Sequence, residues 1–376
     1  MLIGMRQSFI SNVPVILTRA SIAFSQSKDG TLYEFPVDVP RQTKRGRQIS
    51  GAATRMHGEA PTNGSNSGAT SSTLGAEGLF NPLRSISAGA VTDRRLSANI
   101  SVTNGTRVYI RDRIRAGTSG RYRINCAIGA NNSNYVGAFP TFSGSASASA
   151  AGALSAFTQK TLPNGDIEIT FTWTPNATSA SATIGIGPDS ATTGEYIDII
   201  GMQATTAFTD HIMGGTGTKA VAADIMSLDL TGLDLSAGFM LRMDGEVDAT
   251  ERVNTNFLYL ADDGVVSNRS DMVVVSADGR WYVAQFDASV FQGNTVINTA
   301  QTPPAAFSVV GAHGTSYIGG AFNGAVATPD TVATFVAPNR FFIGSNNGTS
   351  TLPITLTAIR LVPGAPTTLK VTELAA

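Results

Sequence analysis

The chain has 376 residues, and its 26 Lys+Arg against 27 Asp+Glu leave a formal net charge of −1; this length exceeds one hydrophobic core, and near-neutrality leaves no global field to select nucleic acid or an anionic membrane. Charged residues make up 14% and aromatics 7%, while Gly reaches 39 and Pro 16, a mixture that suits many short strands joined by tight turns. Cys126 is the only cysteine, which excludes an intrachain disulfide and a cysteine-based zinc cage, and no apolar run approaches the roughly 20 residues a membrane-spanning helix needs.

In chain order, MLIGMRQSFISNVPVILTRA (1–20) is mildly apolar but broken by Arg6, Pro14 and Arg19. It is expected to be a mature N-terminus rather than a secretory signal. Residues 1–79 hold two short apolar runs (Val13 to Leu17, Leu32 to Val39), the basic patch PRQTKRGRQ (40–48) and the tract GEAPTNGSNSGATSSTLGAEG (58–78). Apolar content in that tract is too low for it to order alone. The expectation is an attachment and oligomerisation segment with a linker over 1–79, ordered by a partner.

From residue 80 the strand signals are steadier. RVYIRDRIRAGTSGRYRINCAI (107–128) holds two alternating runs around AGTSG, a hairpin signature. Val108, Ile110 and Ile114 share one face; Arg107, Tyr109, Arg111, Arg113 and Arg115 share the other. In GDIEITFTW (165–173) the inward row is Ile167, Ile169, Phe171 and Trp173, and Asp166 and Glu168 point outward. SGSASASAAGALSA (143–156) is low-complexity and is expected to be a loop. SATIGIG and EYIDII are further strands, and EYIDIIGMQATTAFTDHI (195–212) followed by GGTGT marks the close of a first module.

A second series begins at SLDLTGLDLSAGFMLRMDGEVDA (227–249), where Phe239, Leu241, Met243 and Val247 alternate with Arg242, Asp244, Glu246 and Asp248. NFLYLADDG, DMVVVSADGRWYVAQF, AFSVVGAHGTSYIGGAFNGAVATP, NRFFIGSN and ITLTAIRLVPG follow, with Asp-Gly, Asn-Gly and Gly-Gly turns about ten residues apart. The fold class is therefore all-β: two antiparallel β-sandwich (jelly-roll) domains, 80–213 and 214–376, after the extended segment 1–79.

The order of IRAGTSGRYRI (114–124), EYIDIIGMQATTAFTDHI, GTKAVAADIMSL (217–228), FLYLADDG (257–264), AFSVVGAHGTSYIGGAFNGAVAT (306–328) and NRFFIGSN (339–346) resembles a virion fibre family of tailed bacteriophages and gene transfer agents. DGTLYEFPVDVPR (29–41) resembles the lead-in of that family, though GEAPTNGSNSGATSS replaces its short apolar anchor. The resemblance implies a carbohydrate-binding-module-like jelly roll followed by a concanavalin A-like (laminin G-like) sandwich, with IRAGTSGRYRI as a central hairpin. It further implies a homotrimeric head spike or tail fibre on the virion surface, joined to capsid or tail proteins and binding host polysaccharide. Arg41, Lys44, Arg45 and Arg47 are the attachment candidates.

Within that frame the glycan-binding candidates are Trp281, Tyr282, Tyr317, Phe322 and Asn323, because sugar sites combine aromatic platforms with amides. Trp281 and Tyr282 are adjacent, so one points inward. Arg111 and Arg113, with Arg121 and Arg123 on the return strand, are candidates for gripping an anionic glycan; Asp166 and Glu168 are available to neutralise part of that row. For catalysis the runner-up to none is Asp244, Glu246 and Asp248, spaced roughly 6.5–7 Å along one strand face as a glycosidase pair would be. The expectation is no enzyme, since the row lacks the bulge of the hydrolase motif. No cofactor is expected. His57, His211 and His313 have no ligand spacing, and Asp262, Asp263 and Gly264 suit a turn better than a Ca2+ site.

Overall fold

Period-two alternation becomes strand almost wherever the sequence shows it. The computed structural model describes residues 10–43, 45–49, 53–56, 69–89, 96–139, 145–207, 209, 211–213, 218–247, 255–265, 267–275, 280–298, 305–331, 334–344 and 352–376. Among these the chain is strand and turn apart from one helix, Thr368–Ala375. By compactness it divides in two: Phe24–Glu34 with Ala53–Val221, and Met1–Ala23 and Phe35–Ala52 with Ala222–Ala376.

The first unit is a two-layer antiparallel sandwich. One sheet runs, in spatial order, Leu96–Val102, Ser179–Pro188, Arg121–Ile128, Asn131–Ala138 and Ser145–Ser149. The other is built on Gly152–Thr161, Ile167–Pro175, Val108–Ala116 and Tyr196–Thr205, extended by Leu83–Ser87 and Ala53–Arg55 beside the last of these. The expected inward row is in place: Ile167, Ile169, Phe171 and Trp173 are buried, with Val108, Ile110 and Ile114 facing them in the same core. Such a row forms because β-branched and aromatic side chains fill a pleated face closed by a second sheet.

Two expectations are corrected here. Val108–Ala116 and Arg121–Ile128 do not form a hairpin. The first pairs with Ile167–Pro175 and Tyr196–Thr205, the second with Asn131–Ala138 and Ser179–Pro188. The link between them carries the chain from one layer to the other. A Cβ on Gly117 would stand 2.3 Å from the Tyr196 carbonyl oxygen, so this corner requires glycine. The Ser/Ala stretch 143–156 is not a loop either, since Ser145–Ser149 and the start of Gly152–Thr161 are strands. Small side chains suffice there because the backbone is held from outside: Ser133 Oγ donates to the Gly152 carbonyl (2.6 Å) and accepts from the Ala151 N–H (3.1 Å).

The second unit is also a two-sheet sandwich. Its larger sheet runs Ala325–Val326, Tyr317–Phe322, Ala305–Gly314, Phe239–Val247, Ile354–Pro363, Gly46–Ile49 and Arg41–Thr43, with Ile10–Ser11 parallel to Ile354–Pro363. Its seven-stranded sheet runs Val15–Thr18, Ile225–Leu228, Arg340–Ile343, Thr255–Asp262, Arg269–Val275, Trp281–Asp287 and Val290–Asn298. Phe239, Leu241, Met243 and Val247 lie in the core between them, as alternation predicts.

Ile10–Ser11, Val15–Thr18, Arg41–Thr43 and Gly46–Ile49 are therefore strands of this sandwich, while Phe24–Glu34 belongs to the first unit; the sequence pointed instead to a separate extension awaiting a partner. Runs too short to own a core obtain one by completing a larger sheet. Their anchor is buried charge: Arg19 and Arg41 both engage Asp224, and Arg19 also donates to the Pro36 and Val39 carbonyls. The chain crosses between the two units at 23/24, 34/35, 52/53 and 221/222. Thr368–Ala375, which the sequence did not flag, is capped by the Thr367 hydroxyl and buries Val371 and Leu374 against Met240, Val310 and Ala312.

Candidate functional site

In the second unit, the strand Trp281–Asp287 turns its odd positions into the core and its even positions outward. Trp281 is 0% exposed and packs on Phe307 and Phe322, each at 5.3 Å between ring centroids. Tyr282 and Phe286 are half-buried on the opposite face. The chain then reverses through Ala288 and Ser289, both at positive φ (48° and 66°), a two-residue turn of type I′ built from residues that resist that conformation. The turn is pinned from the neighbouring loop: Ala288 N–H donates to Asn268 Oδ1 (2.7 Å) and Ser289 N–H to the Ser267 carbonyl (2.9 Å).

Immediately after the turn the register slips, so that Phe286 faces Phe291 while Gln285 faces Gly293. The two-residue turn sets Phe291 opposite Phe286 on the outer face, and the bulge at Gln292 returns Thr295 and Ile297 to the inner face. The Phe291 ring meets Phe286 edge-on at 5.5 Å. Arg269, directly across from Phe286, lays its guanidinium 3.9 Å from that ring centroid and donates to Asp271 at 2.7 Å. Arg280 lies 5.8 Å from the Tyr282 centroid. Phe291 is 53% exposed, Val290 61% and Val296 39%, and exposed Asn294 stands on the same strand. Burial pushes the Asp271 carboxyl up to about 6 against the pull of Arg269. The result is an aromatic strip edged by the Arg269 guanidinium and the Asn294 amide, with the Asp271 carboxyl buried behind Arg269, a strip that stacks on sugar rings and bonds their hydroxyls.

Of the five sequence candidates for glycan contact, only Tyr282 belongs to this strip. Trp281, Phe322 and Tyr317 are buried, because each falls on a face closed by the opposite sheet or by the C-terminal helix. Asn323 is a turn residue at φ 48°, its Oδ1 accepting from the Ser308 N–H at 2.8 Å. Phe286 and Phe291 were missed. Counting outward positions from Tyr282 reaches Phe286, but counting back from the inward Thr295 and Ile297 puts Phe291 inward, because no sequence signal announces the bulge at Gln292 between them.

The arginine row of the first unit is not a free surface. Arg111 and Arg113 are each 5% exposed. Arg111 faces Glu168 at 3.5 Å, while Arg113 holds Asp166 and the Gly30 carbonyl. Arg115 bridges Asp166 (2.8 Å) and Glu77 (2.7 Å), and its hydrogen bond holds the Glu77 carboxyl below its ordinary range. Asp166 and Glu168 thus neutralise the row, and the chain around Gly30 covers part of it, which alternation alone cannot reveal. Among the attachment candidates, Arg41 is buried on Asp224, Arg45 pairs with Glu246 at 3.6 Å, Arg47 is partly buried, and Lys44 lies outside the described residues.

The carboxylate row offers no open pair. Asp244 accepts from Arg242 at 3.2 Å, Glu246 faces Arg45, and Asp248 lies outside the described residues. Asp262 and Asp263 do not fit a calcium cage. Asp262 is occupied by Arg340 (2.6 and 3.0 Å) and the Gly264 N–H, and Asp263 by the Val265 N–H and the Asn268 amide.

No protein-family profile matches the chain, and no curated protein matches it. Among solved structures it is similar to the heptameric SAP-like pentraxin of Limulus polyphemus, at 15% identity over 38% of this chain and 70% of that one, with a TM-score of 0.29. It is also similar to domains LG4-5 of the mouse laminin alpha1 chain, at 8% identity over 85% of this chain and 92% of that one, with a TM-score of 0.26.

Proposed function

We propose that this chain is a structural spike or fibre protein of a phage-like particle, displayed on head or tail as a homotrimer, and that its second sandwich binds host-surface polysaccharide through Tyr282, Phe286 and Phe291. The exposed aromatic strip carries the reading. An edge strand that leaves Val290, Phe291 and Val296 in water, beside ordered polar groups, has the character of a contact surface rather than of a satisfied exterior. Particle display is supported by the chain order of the sequence motifs, and binding rather than hydrolysis by the engagement of Asp244 and Glu246 in ion pairs. Attachment does not rest on Arg41, whose charge is used inside the fold.

The test is an array of neutral bacterial surface glycans probed with the native protein and with Tyr282→Ala and Phe291→Ser, alongside light scattering. Each substitution is expected to weaken glycan binding on the order of tenfold while the thermal midpoint holds, as for loss of one stacking ring. Binding that survives both substitutions removes the strip as the site. A trimer that falls apart in Phe291→Ser with glycan binding intact makes the strip a subunit interface instead, and a monomeric native protein removes the trimeric spike.

A further inference from the structure

The polar edge of the aromatic strip in the second unit is one guanidinium, and that guanidinium is held from behind. Arg269 and Asp271 stand two residues apart on Arg269–Val275, hence on the same outward face. Arg269 Nε donates to Asp271 Oδ2 at 2.7 Å, and the bond keeps the side chain where its guanidinium meets the Phe286 ring, 3.9 Å from the centroid. A guanidinium carries five N–H donors in a rigid fork. Asp271 takes the one on Nε, while 23% of the Arg269 side chain stays in water beside the strip.

Asp271 has the surroundings of a group meant to hold one partner. It is 1% exposed and lies between Leu260 and Ala284 on the neighbouring strands, 0% and 6% exposed. Its Oδ1 has no hydrogen-bond partner among the described residues, and Arg269 is the cation that offsets its burial. With the carboxyl pushed up to about 6, the charge on this bond disappears as pH falls through that value. Among the described residues, the other ionisable groups facing it are Asp262, Tyr282 and Tyr259. Asp262 is held by Arg340 at 2.6 and 3.0 Å. Tyr282 stands one step along the outer face of Trp281–Asp287, and Tyr259 lies on the core side with its hydroxyl on His313 at 2.7 Å. Burial pushes His313 down to about 3, so it stays neutral at pH 5.

We propose that Asp271 is the positioning residue of the strip, a role that rests on the strip being the glycan site: it holds Arg269 against Phe286 so that the guanidinium meets the hydroxyls of a stacked sugar, and a proton taken up by Asp271 releases the sugar. An arginine already fixed in place gives up little rotamer freedom when a ligand arrives, whereas an unanchored one loses it at every binding event. Protonated Asp271 keeps its shape but offers a neutral oxygen, and Arg269 then leaves the ring for water. The strip grips at neutral pH and lets go in acid.

The test takes the same array of neutral glycans, which carry no titrating group, and reads binding from pH 8 to pH 5. Binding by the parent is expected to weaken about tenfold across that range, with its midpoint near the Asp271 value of about 6. Asp271→Asn and Arg269→Gln are each expected to bind about tenfold more weakly at pH 8 and to lose the pH dependence. Circular dichroism at each pH confirms the fold, and either variant suffices if the other does not fold. A residue that served the fold alone would move the thermal midpoint and leave the pH profile of binding as it is. Binding that needs Tyr282 and Phe291 yet stays level from pH 8 to pH 5 overturns the role of Asp271 alone, as does a fall that persists in the variants. Binding indifferent to Tyr282→Ala and Phe291→Ser removes the site itself, and this role with it.

Discussion

Asp112 is the residue least at ease in its surroundings. It sits on the inward face of Val108–Ala116 between Ile110 and Ile114, 1% exposed, and its Oδ1 has no hydrogen-bond partner among the described residues. Burial pushes its carboxyl up to about 8 from the ordinary 3.8, opposed by a hydrogen bond from the Gln203 backbone. The folded chain therefore holds this proton more tightly than the unfolded chain. The stability tied to it is complete below about pH 4 and drains away as pH rises toward 8. Asp112→Asn keeps the shape and removes the ionisation, so its unfolding free energy from urea denaturation, followed from pH 4 to 8, is expected to fall less steeply and to exceed the parent by ~2 kcal/mol at pH 8. Matching slopes for parent and variant exclude that role. His313 has the opposite sign. Buried beside the Tyr259 hydroxyl at 2.7 Å, it is pushed down to about 3, so it costs stability as pH falls from 6.5.

Among the elements, the turn through Ala288 and Ser289 combines strain with position. Two non-glycine residues at positive φ are held by two bonds from the 267–268 loop, and the turn they form sets Phe291 opposite Phe286. Replacing the pair by Asn-Gly suits the same turn and is expected to raise stability by about 1 kcal/mol in urea denaturation without moving the register. A loss of stability shows that the turn is not of this type. The sequence displays the strands on either side of this turn clearly, because alternation from Trp281 to Phe286 needs only local information. It does not display the bulge, which shifts side-chain parity by one residue. The link at Gly117–Gly120 is a similar case: a glycine-rich connection reads alike whether it joins neighbours in one sheet or crosses between two, and only the distant partners Ile167–Pro175 and Ser179–Pro188 decide it. Arg111 and Arg113 were placed on the correct face of their strand, but what covers that face comes from residue 30, some eighty positions away.

For the whole molecule, the weight falls on the first fifty residues. Val15–Thr18 closes one end of the seven-stranded sheet and Gly46–Ile49 continues the other sheet beyond Ile354–Pro363, with the Arg19–Asp224–Arg41 cluster buried between the strands' connections. A protein beginning at residue 53 would strip buried Asp224 of Arg19 and Arg41, expose two sheet edges and remove Phe24–Glu34 from the first unit. It is expected to lose at least 3 kcal/mol from the second unit, the cost of stranding a buried charge, visible as a lowered thermal midpoint or insolubility. A truncated protein that melts with the parent shows these strands to be dispensable.

That discontinuity also orders events on the ribosome. The strand at Val15–Thr18 is translated some two hundred residues before Ile225–Leu228, its hydrogen-bonding neighbour, and Gly46–Ile49 some three hundred before Ile354–Pro363. At about 5–20 residues per second these leading segments wait on the order of ten seconds to a minute with their apolar sides unsheltered, while the intervening sandwich has already been synthesised. These early strands thus carry a long vulnerable interval, which makes chaperone demand during synthesis a consequence of pairing Gly46–Ile49 with a strand three hundred residues later.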